Sequence, residues 1–388
     1  MFSEYQHLRI PGPTPISPEV NREMGKTILA HRSKDFSDMF RNTCEKAKGI
    51  FKTKEDVFVV AASGTGALEM AVANIVEPGD QVLIVETGVF GQRFAKICNA
   101  FKAKVIVDKY ELGQVANPQR IKNILSENPD IKAVFLTHCE TSTTVVNPVK
   151  EIGEIVKDTP ALLVVDSVSA LVGMDLHMDD WGLDIVVTAS HKALGLAPGL
   201  ALISVSQKAW HIIEDHKGPK FYFDLISYRK NMGNNTTPFT GPVSLVFGLS
   251  KSLDKINNEG LDNVFIRHRL IRDMLRAAIR ALNLDLLIEN DDSASSTVTG
   301  VMGNAQLDVK DLIKVLREDY KIIIAGGQGD LKGKIFRIGH MGYIHPLDIL
   351  TTINGLEMAL RQLDYPIELG SGIRAAEEVW CDEKGISK

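Results

Sequence analysis

The stretch DIVVTASHKALGLAPGLALIS, residues 184–204, places two short apolar runs on either side of a single lysine, Lys192. The runs Ile185–Val187 and Leu200–Val205 are continuous rather than alternating. Such runs are typical of strands that are buried on both faces of a sheet. A lysine set among small and apolar residues can have a lowered pKa and act as a Schiff-base nucleophile, although a surface lysine with a solvated amine fits this local sequence equally well.

The same pattern extends toward the N-terminus. From about residue 50, short apolar runs alternate with helix-like stretches such as Ala67–Val76, Arg93–Phe101, Pro118–Glu127 and Val149–Lys157. Strands that alternate with helices are expected to be parallel, with crossover helices packed on the sheet. The sequence therefore predicts a doubly wound α/β layer. The apolar runs that we interpret as strands are Val57–Val60, Gln81–Val85, Val105–Val107, Ala133–Thr137, Leu162–Val165, Ile185–Val187 and Leu200–Val205.

The pattern changes after residue 245. Val243–Asn258 and Asp262–Leu284 have helical periodicity, strand-like segments follow around Ser295–Gly300 and at Lys321–Ala325, and Pro346–Gln362 is helical again. Helices mixed with short strands that do not alternate regularly with them predict a smaller α+β lobe.

The composition excludes several classes of protein. The 388 residues carry a net charge of −5, which makes a general nucleic-acid binder a poor candidate. No apolar run approaches the roughly 20 residues that cross a bilayer, and the N-terminal sequence lacks the pattern of a signal peptide. The four cysteines form no CxxC pair, so we expect neither a zinc site nor a disulfide framework. We therefore expect a cytoplasmic protein without a metal or membrane partner.

Two more features lie at predicted strand ends. Ala61–Ala67 reads AASGTGA between a strand and a helix, where small residues let an anion approach free backbone N–H groups. The stretch is no dinucleotide fingerprint, because Glu69 occupies the third glycine position, and a tight structural turn is the plain alternative. Asp166 follows the run Leu162–Val165, where α/β sheets bind ligands, unless it only caps the next turn. With Lys192, these features would supply the phosphate site, pyridinium partner and imine-forming lysine that pyridoxal phosphate needs.

Further motifs occur in a fixed order between residue 8 and about residue 362. They are PGPTP (Pro11–Pro15), SGTGALEM (Ser63–Met70), TGVFGQR (Thr87–Arg93), LTHCETSTTVVNP (Leu136–Pro148), NNTTP (Asn234–Pro238) and GKIFRIGHMG (Gly333–Gly342). Together with the lysine stretch Asp184–Ser204, they resemble the class V, fold-type I aminotransferases, especially the alanine–glyoxylate and serine–pyruvate group.

The resemblance implies a fold and a domain plan. A large domain would carry a mainly parallel seven-stranded sheet with helices on both faces, and a smaller C-terminal α+β domain would follow. The implied boundaries are an N-terminal segment lining the active site at 1–20, a large domain that binds pyridoxal phosphate at 21–245, a small domain at 246–365 and a C-terminal tail at 366–388.

The resemblance also implies roles at the cofactor. Lys192 would form the Schiff base with pyridoxal 5′-phosphate, and Asp166 would pair with the pyridine nitrogen. Phe90 would stack on the cofactor ring, and Thr141 would bind the side of its 3′ oxygen. The phosphate ligands implied by the resemblance are Thr65, Gly66, Ala67, His191 and, from a partner subunit, Thr236.

For the substrate, the resemblance implies that Arg337 binds the α-carboxylate and that Gly12 lines the pocket. Because Thr236 would reach a neighbour's phosphate, a homodimer with shared sites is implied. Two positions depart from the animal members of the family. Ala67 replaces a histidine and Gly233 replaces a tyrosine, so the phosphate contacts stay open.

The predicted activity is a ping-pong transamination from a small amino acid, alanine or serine, to a small 2-oxo acid, glyoxylate or pyruvate. Aspartate as donor is the near alternative, and a nicotinamide-dependent oxidoreductase is the alternative from pattern alone. A sulfur-removing lyase needs a nucleophilic cysteine on a loop near the small lobe, and no cysteine occurs between Cys139 and Cys381. A non-catalytic partner subunit would not need Lys192, Asp166 and Arg337.

Overall fold

The computed structural model of the chain describes residues 6–385. Its strands are β1 (His7–Leu8), β2 (Val57–Val60), β3 (Gln81–Glu86), β4 (Lys104–Lys109), β5 (Ile131–Thr137), β6 (Cys139–Glu140), β7 (Val145–Val146), β8 (Leu162–Asp166), β9 (Ile185–Ala189), β10 (Ala201–Val205), β11 (Val298–Met302), β12 (Ile322–Ile323), β13 (Ala325–Gly326) and β14 (Ile335–Gly339).

Helices follow most of the strands of the first 215 residues and dominate the rest of the chain. They are α1 (Pro18–Met24), α2 (Lys34–Phe51), α3 (Gly64–Ile75), α4 (Val89–Ala100), α5 (Pro118–Glu127), α6 (Val149–Val156), α7 (Gln207–Asp215), α8 (Leu225–Met232), α9 (Val243–Glu259), α10 (Leu261–Ala281), α11 (Val309–Glu318), α12 (Pro346–Gln362) and α13 (Ser371–Lys384).

Seven strands form the central sheet, in the order β2-β10-β9-β8-β5-β3-β4. Strand β10 is antiparallel to both of its neighbours, and the other neighbouring pairs are parallel. Every residue of β8, β9 and β10 is buried, as the continuous apolar runs predict. The predicted mainly parallel seven-stranded sheet is confirmed.

Helices cover both faces of this sheet. Leu163 and Val165 of β8 point into one core with Phe40 of α2, whereas Leu162 and Val164 point into another with α3 and α4. Successive side chains of a strand face opposite ways, so each apolar run supplies both cores at once. This double burial fixes the strands whose ends build the site described below.

The smaller lobe is built on a three-stranded antiparallel sheet, in the order β11-β14-β13. Helices α10, α11 and α12 pack around it in one apolar core that includes Phe336 of β14. Helix α13 lies within the predicted tail and adds Ala376 to the same core. The predicted smaller α+β lobe is confirmed.

The N-terminal segment connects the two lobes. Its strand β1 pairs in parallel with β12 of the small lobe, and the backbone N–H of Gly339 donates to the carbonyl of Arg9 at 2.7 Å. Three residues beyond Arg9, Gly12 lies directly against the side chain of Lys192. The segment therefore crosses from the small lobe to the end of the large sheet.

Within residues 6–385, we find no helix whose length and apolar character would let it span a bilayer.

The contact between β14 and the N-terminal segment gives a first prediction. A Cβ at Gly339 would lie 2.2 Å from the carbonyl oxygen of Ile10, so the Gly339→Ala substitution must displace this segment. We expect the free energy of unfolding in urea to fall by about 1–3 kcal/mol, as for other overpacked sites.

The matched control is Gly326→Ala in the adjacent strand β13, where the nearest atom to the new Cβ would be Ile313 Cδ1 at 3.5 Å. This variant should stay within about 0.5 kcal/mol of the wild type. Equal unfolding curves for Gly339→Ala and the wild type would show that the segment is not held as tightly as described.

Candidate active site

Three neighbouring strands end at one edge of the central sheet. Thr137 ends β5 opposite Asp166, which ends β8, and Asp166 in turn pairs with Val187 of β9. Because these strands are parallel, the loops that follow them meet at the same edge. Lys192 lies in the turn after β9, and Thr141 lies in the turn after β6, a few residues beyond β5.

Lys192 is only 8% exposed, and its Nζ donates to the carbonyl of Pro11. Burial lowers the pKa of Lys192 to about 8, and the charges of Arg337 and Arg93 add to that effect while Asp166 opposes it. A substantial fraction of the amine is therefore neutral near pH 8, which is the form that attacks a carbonyl carbon. The surface-lysine alternative is wrong, because the side chain is enclosed.

Asp166 is 3% exposed, and its Oδ1 accepts a hydrogen bond from the backbone N–H of Val168 at 2.9 Å. Burial raises the pKa of Asp166 to about 6, against the effect of this hydrogen bond. The carboxylate is thus ionised near neutral pH, and among residues 6–385 it forms no salt bridge. A cationic N–H of a ligand would satisfy it.

The N-terminus of α3 carries the predicted phosphate ligands. The hydroxyl of Ser63 caps the helix by accepting from the N–H of Gly66, and the Thr65 hydroxyl accepts from Arg93 Nη1 at 2.9 Å. A Cβ at Gly66 would lie 2.8 Å from the Cβ of Ala62, so the turn tolerates only glycine without a shift. Free N–H groups of such a helix end favour an anion.

Helix α4 carries Phe90 and is capped by another part of the chain. Glu140 is fully buried, and its Oε2 accepts from the N–H groups of Phe90 and Gly91. The Ser142 hydroxyl accepts from the N–H of Val89. Gly88 makes this possible, because a Cβ there would lie 2.6 Å from the carboxyl carbon of Glu140. The cap fixes Phe90 relative to Thr141, the residue after Glu140.

Arg337 lies in the middle of β14 and reaches into the large lobe. Its Nη1 donates to the carbonyl of Thr141 at 2.7 Å, and its Nε and Nη2 donate to the carbonyl of Gly326. It is 4% exposed, and burial lowers its pKa to about 10 while the charge of Glu140 opposes the shift. Arg337 forms no salt bridge within residues 6–385, so this buried cation lacks a carboxylate.

Two further contacts lie beside Lys192 and Asp166, and they involve Gly12 and Thr141. A Cβ at Gly12, whose φ is +134°, would lie 2.9 Å from Lys192 Nζ. The Thr141 hydroxyl is 2.7 Å from that of Ser169, three residues after Asp166. Gly12 thus lies against Lys192, Thr141 is hydrogen-bonded to Arg337, and the charge of Arg337 acts on the amine of Lys192.

His191 and Thr236 are the predicted phosphate ligands whose side chains each have a buried polar atom without a hydrogen-bond partner in residues 6–385. His191 precedes Lys192, and its Nδ1 is buried without a partner in the described part of the chain. The Oγ1 of Thr236 is also buried and has no hydrogen-bond partner there, so no hydrogen bond joins it to Lys192 within residues 6–385. Burial and the charge of Lys192 lower the pKa of His191 to about 4, so its imidazole is neutral near pH 7.

Two residues of this site received no role from sequence reasoning, namely Glu140 and Arg93. Both lie inside the motifs that carry the family resemblance, Glu140 next to Thr141 and Arg93 three positions after Phe90. The spacing of three places Arg93 and Phe90 on one face of α4. The spacing from Phe90 was the sequence signal for Arg93. The signal for Glu140 was that it is a lone acidic residue in a largely uncharged motif.

Comparison with known proteins identifies a family. The family model described as "Aminotransferase class-V" matches residues 18–333. An uncharacterized aminotransferase of Methanocaldococcus jannaschii is 42% identical, over 97% of this chain and 98% of that protein. The soluble hydrogenase small subunit of a Synechococcus species is 39% identical, over 96% and 97%.

Proteins with a named transamination are also similar. The serine–glyoxylate aminotransferase of Arabidopsis thaliana is 35% identical, over 95% of this chain and 94% of that protein. The crystal structure of alanine–glyoxylate aminotransferase from a Nostoc species superposes with a TM-score of 0.89 at 28% identity, over 93% of this chain and 97% of that chain.

Class V aminotransferases of this fold depend on pyridoxal 5′-phosphate. The residues present fit this cofactor. Lys192 is a buried amine with a lowered pKa, and Asp166 is a buried carboxylate without a salt bridge. His191 Nδ1 and Thr236 Oγ1 are buried polar atoms that a ligand could satisfy.

The burial of Lys192 gives a prediction about pH. In the cofactor-free protein, Lys192 should react half-maximally with a small acylating reagent near pH 8, because burial disfavours its charged form. Mass spectrometry of the labelled peptides across a pH series measures this directly. Lys34 is the internal control, because its hydrogen bond to Asp38 raises its pKa above the ordinary value. If Lys192 needed a pH as high as Lys34, its enclosure would not have the assigned effect.

Proposed function

This chain belongs to the class V aminotransferase family, and we propose that it transfers an amino group from alanine or serine to glyoxylate or pyruvate. The two half-reactions would follow a ping-pong order, in which the donor leaves its amino group on the enzyme before the 2-oxo acid collects it. Membership in the family removes the nicotinamide-dependent alternative.

One observation carries the proposal. Arg337, a buried guanidinium without a carboxylate partner in residues 6–385, is hydrogen-bonded to Thr141, and its charge acts on the buried amine of Lys192. A planar guanidinium binds a carboxylate through two parallel hydrogen bonds. A substrate with a carboxylate next to its reacting carbon would therefore be held at Arg337 with that carbon toward Lys192.

The roles of the residues follow from their chemistry. When bound, pyridoxal phosphate supplies a conjugated ring that stabilises the electron pair left when the substrate Cα–H bond breaks. Asp166 would keep the ring nitrogen protonated, because its carboxylate is ionised above about pH 6. Lys192 would remove and return the proton as the general base and acid, since its pKa of about 8 lies near neutral pH.

Orientation and exclusion of water come from the surrounding elements. Phe90 would cover one face of the ring, held by the cap that Glu140 places on α4. Thr141 would contact the ring's oxygen, fixed by its bond to Arg337. Lys192, Asp166 and Arg337 are each less than 10% exposed, so little water competes for their hydrogen bonds.

The size of the substrate is limited by the N-terminal segment. The Pro11 carbonyl accepts from Lys192 Nζ, and even a methyl group at Gly12 would touch that side chain. Space beside the amine is therefore narrow, which favours a donor with a short side chain. The serine–glyoxylate and alanine–glyoxylate enzymes among the similar proteins support the same substrate class.

A second candidate is a subunit that serves association with another protein, and the similar hydrogenase subunit favours it. The buried charges of this chain argue against a purely structural role. Removing Arg337 and Asp166 from water without salt-bridge partners in residues 6–385 destabilises a fold, so a scaffold would gain by replacing them. We therefore retain the catalytic function as the principal proposal.

Assembly as a homodimer would complete the site. Phe221 is 81% exposed and Ile28 is 68% exposed, so apolar surface is available for a second copy. Thr236 would reach the partner's phosphate with the Oγ1 that has no partner within its own described chain. We place the enzyme in the cytoplasm, supported by four cysteines that are all free thiols.

The substrate proposal predicts a defined pattern of half-reactions. Mixed singly with the purified holoenzyme in the absence of any 2-oxo acid, alanine and serine should bleach the visible absorbance of the bound cofactor faster than aspartate does. Glyoxylate or pyruvate should then restore it. Bleaching by aspartate alone would establish the aspartate-type alternative, and a holoenzyme that no amino acid bleaches would favour the association subunit.

The matched variant in this assay is Arg337→Lys, which keeps the charge but loses the planar fork. It should slow every donor alike, by about 10-fold or more, because the α-carboxylate is common to all of them. If only one donor were slowed, Arg337 would read the side chain instead of the carboxylate.

The dimer proposal predicts a sedimenting species of twice the chain mass at assay concentration. Phe221→Ser should shift the protein toward monomer by removing exposed apolar area. Leu347→Ser, an equally simple change at a 57% exposed site of the small lobe, should leave the mass unchanged. A fully active monomer would contradict shared sites.

A further inference from the structure

The proposed phosphate ligands lack a positive charge. Thr65, Gly66, Ala67 and Thr236 are neutral residues, and the imidazole of His191 is neutral near pH 7 because burial lowers its pKa to about 4. A phosphate monoester carries a charge of about −1.5 to −2 at this pH. Such a charge is costly in a partly enclosed site unless a cation or many hydrogen-bond donors meet it.

Arg93 carries a positive charge next to the proposed phosphate ligand Thr65. Its Nη1 donates to the Thr65 hydroxyl at 2.9 Å, which puts the guanidinium at the N-terminus of α3. The same guanidinium lies over the ring of Phe90, with its carbon 4.5 Å from the ring centre. Arg93 therefore joins the proposed phosphate ligand Thr65 to the residue proposed to cover the cofactor ring.

The charge of Arg93 is not neutralised by the rest of the described chain. Across residues 6–385, Arg93 forms no salt bridge, and its single hydrogen bond goes to a neutral hydroxyl. A guanidinium has five N–H donors, so most remain available. Glu140, an acidic residue that contacts this helix, already accepts hydrogen bonds from the N–H groups of Phe90 and Gly91.

We propose that Arg93 binds the phosphate of the cofactor and supplies the positive charge that the other phosphate ligands lack. The proposal rests on the cofactor of the family and adds a binding residue to it. The Thr65 hydroxyl then orients the guanidinium toward the helix end.

The test compares two ligands that differ only in the phosphate. Cofactor-free protein is titrated with pyridoxal 5′-phosphate and with pyridoxal, and the dissociation constants are read from absorbance. The Arg93→Gln substitution should weaken binding of pyridoxal phosphate by about 10- to 100-fold, as expected for a lost charge-assisted hydrogen bond. Binding of pyridoxal should change by less than about 3-fold, within the usual scatter of a surface change.

Two variants serve as controls. Arg93→Lys keeps the charge, so it should retain most of the preference for the phosphorylated ligand. Arg41→Gln removes an exposed arginine that pairs with Asp38 on α2, and should leave both constants unchanged. If Arg93→Gln weakened both ligands equally, Arg93 would act only through Phe90, and the proposal would be wrong. If it changed neither, Arg93 would not contact the phosphate.

A second measurement needs no variant and therefore does not depend on how Arg93→Gln folds. Cofactor-free wild-type protein is treated with phenylglyoxal, which modifies arginine, with and without inorganic phosphate. Phosphate should protect the peptide that contains Arg93 and not the one that contains Arg41. Equal modification of Arg93 in both samples would overturn the proposal. Failure of the wild type to bind pyridoxal phosphate would instead challenge the cofactor itself.

Discussion

The three hydrogen bonds of the Arg337 guanidinium hold the two lobes in one arrangement. One bond goes to the carbonyl of Thr141 in the large lobe, and two go to the carbonyl of Gly326 in the small lobe. Each carbonyl is a backbone group, so the geometry depends on the backbone paths of the turn at Thr141 and of strand β13, and not on flexible side chains. The cation stays buried because these dipoles partly replace its hydration, and its remaining need for an anion supports the proposed binding of a carboxylate there.

Glu140 extends this arrangement to the proposed cofactor site. It is adjacent to Thr141 in sequence, it caps the helix that carries Phe90, and its charge acts on both Asp166 and Arg337. Burial raises the pKa of Glu140, while hydrogen bonds from Ser142, Gly91 and Phe90 lower it. The carboxylate of Glu140 thus links Phe90, which we propose covers the cofactor, to the bond between the lobes and to the electrostatics of Asp166, the proposed pyridine partner.

The sequence predicts the large sheet because its strands are apolar on both faces, and it predicts Asp166 and Lys192 because each follows such a strand. The family resemblance added Arg337, Phe90 and Thr141. Arg93 and Glu140 were missed because their importance arises from contacts between distant segments, α4 with α3 and α4 with β6. Helix α13 escaped notice for a related reason, since its apolar residues are few and become a face only against the small-lobe core.

The N-terminal segment is attached to both lobes. Strand β1 and Arg9 are bonded to the small lobe, whereas Pro11 and Gly12 touch Lys192 in the large one. A hinge rotation of the small lobe would consequently pull the segment across the amine. Uncovering the lysine and releasing the carboxylate that we propose binds Arg337 would then be a single event, so exit of the keto product and entry of solvent to the amine would share one timescale.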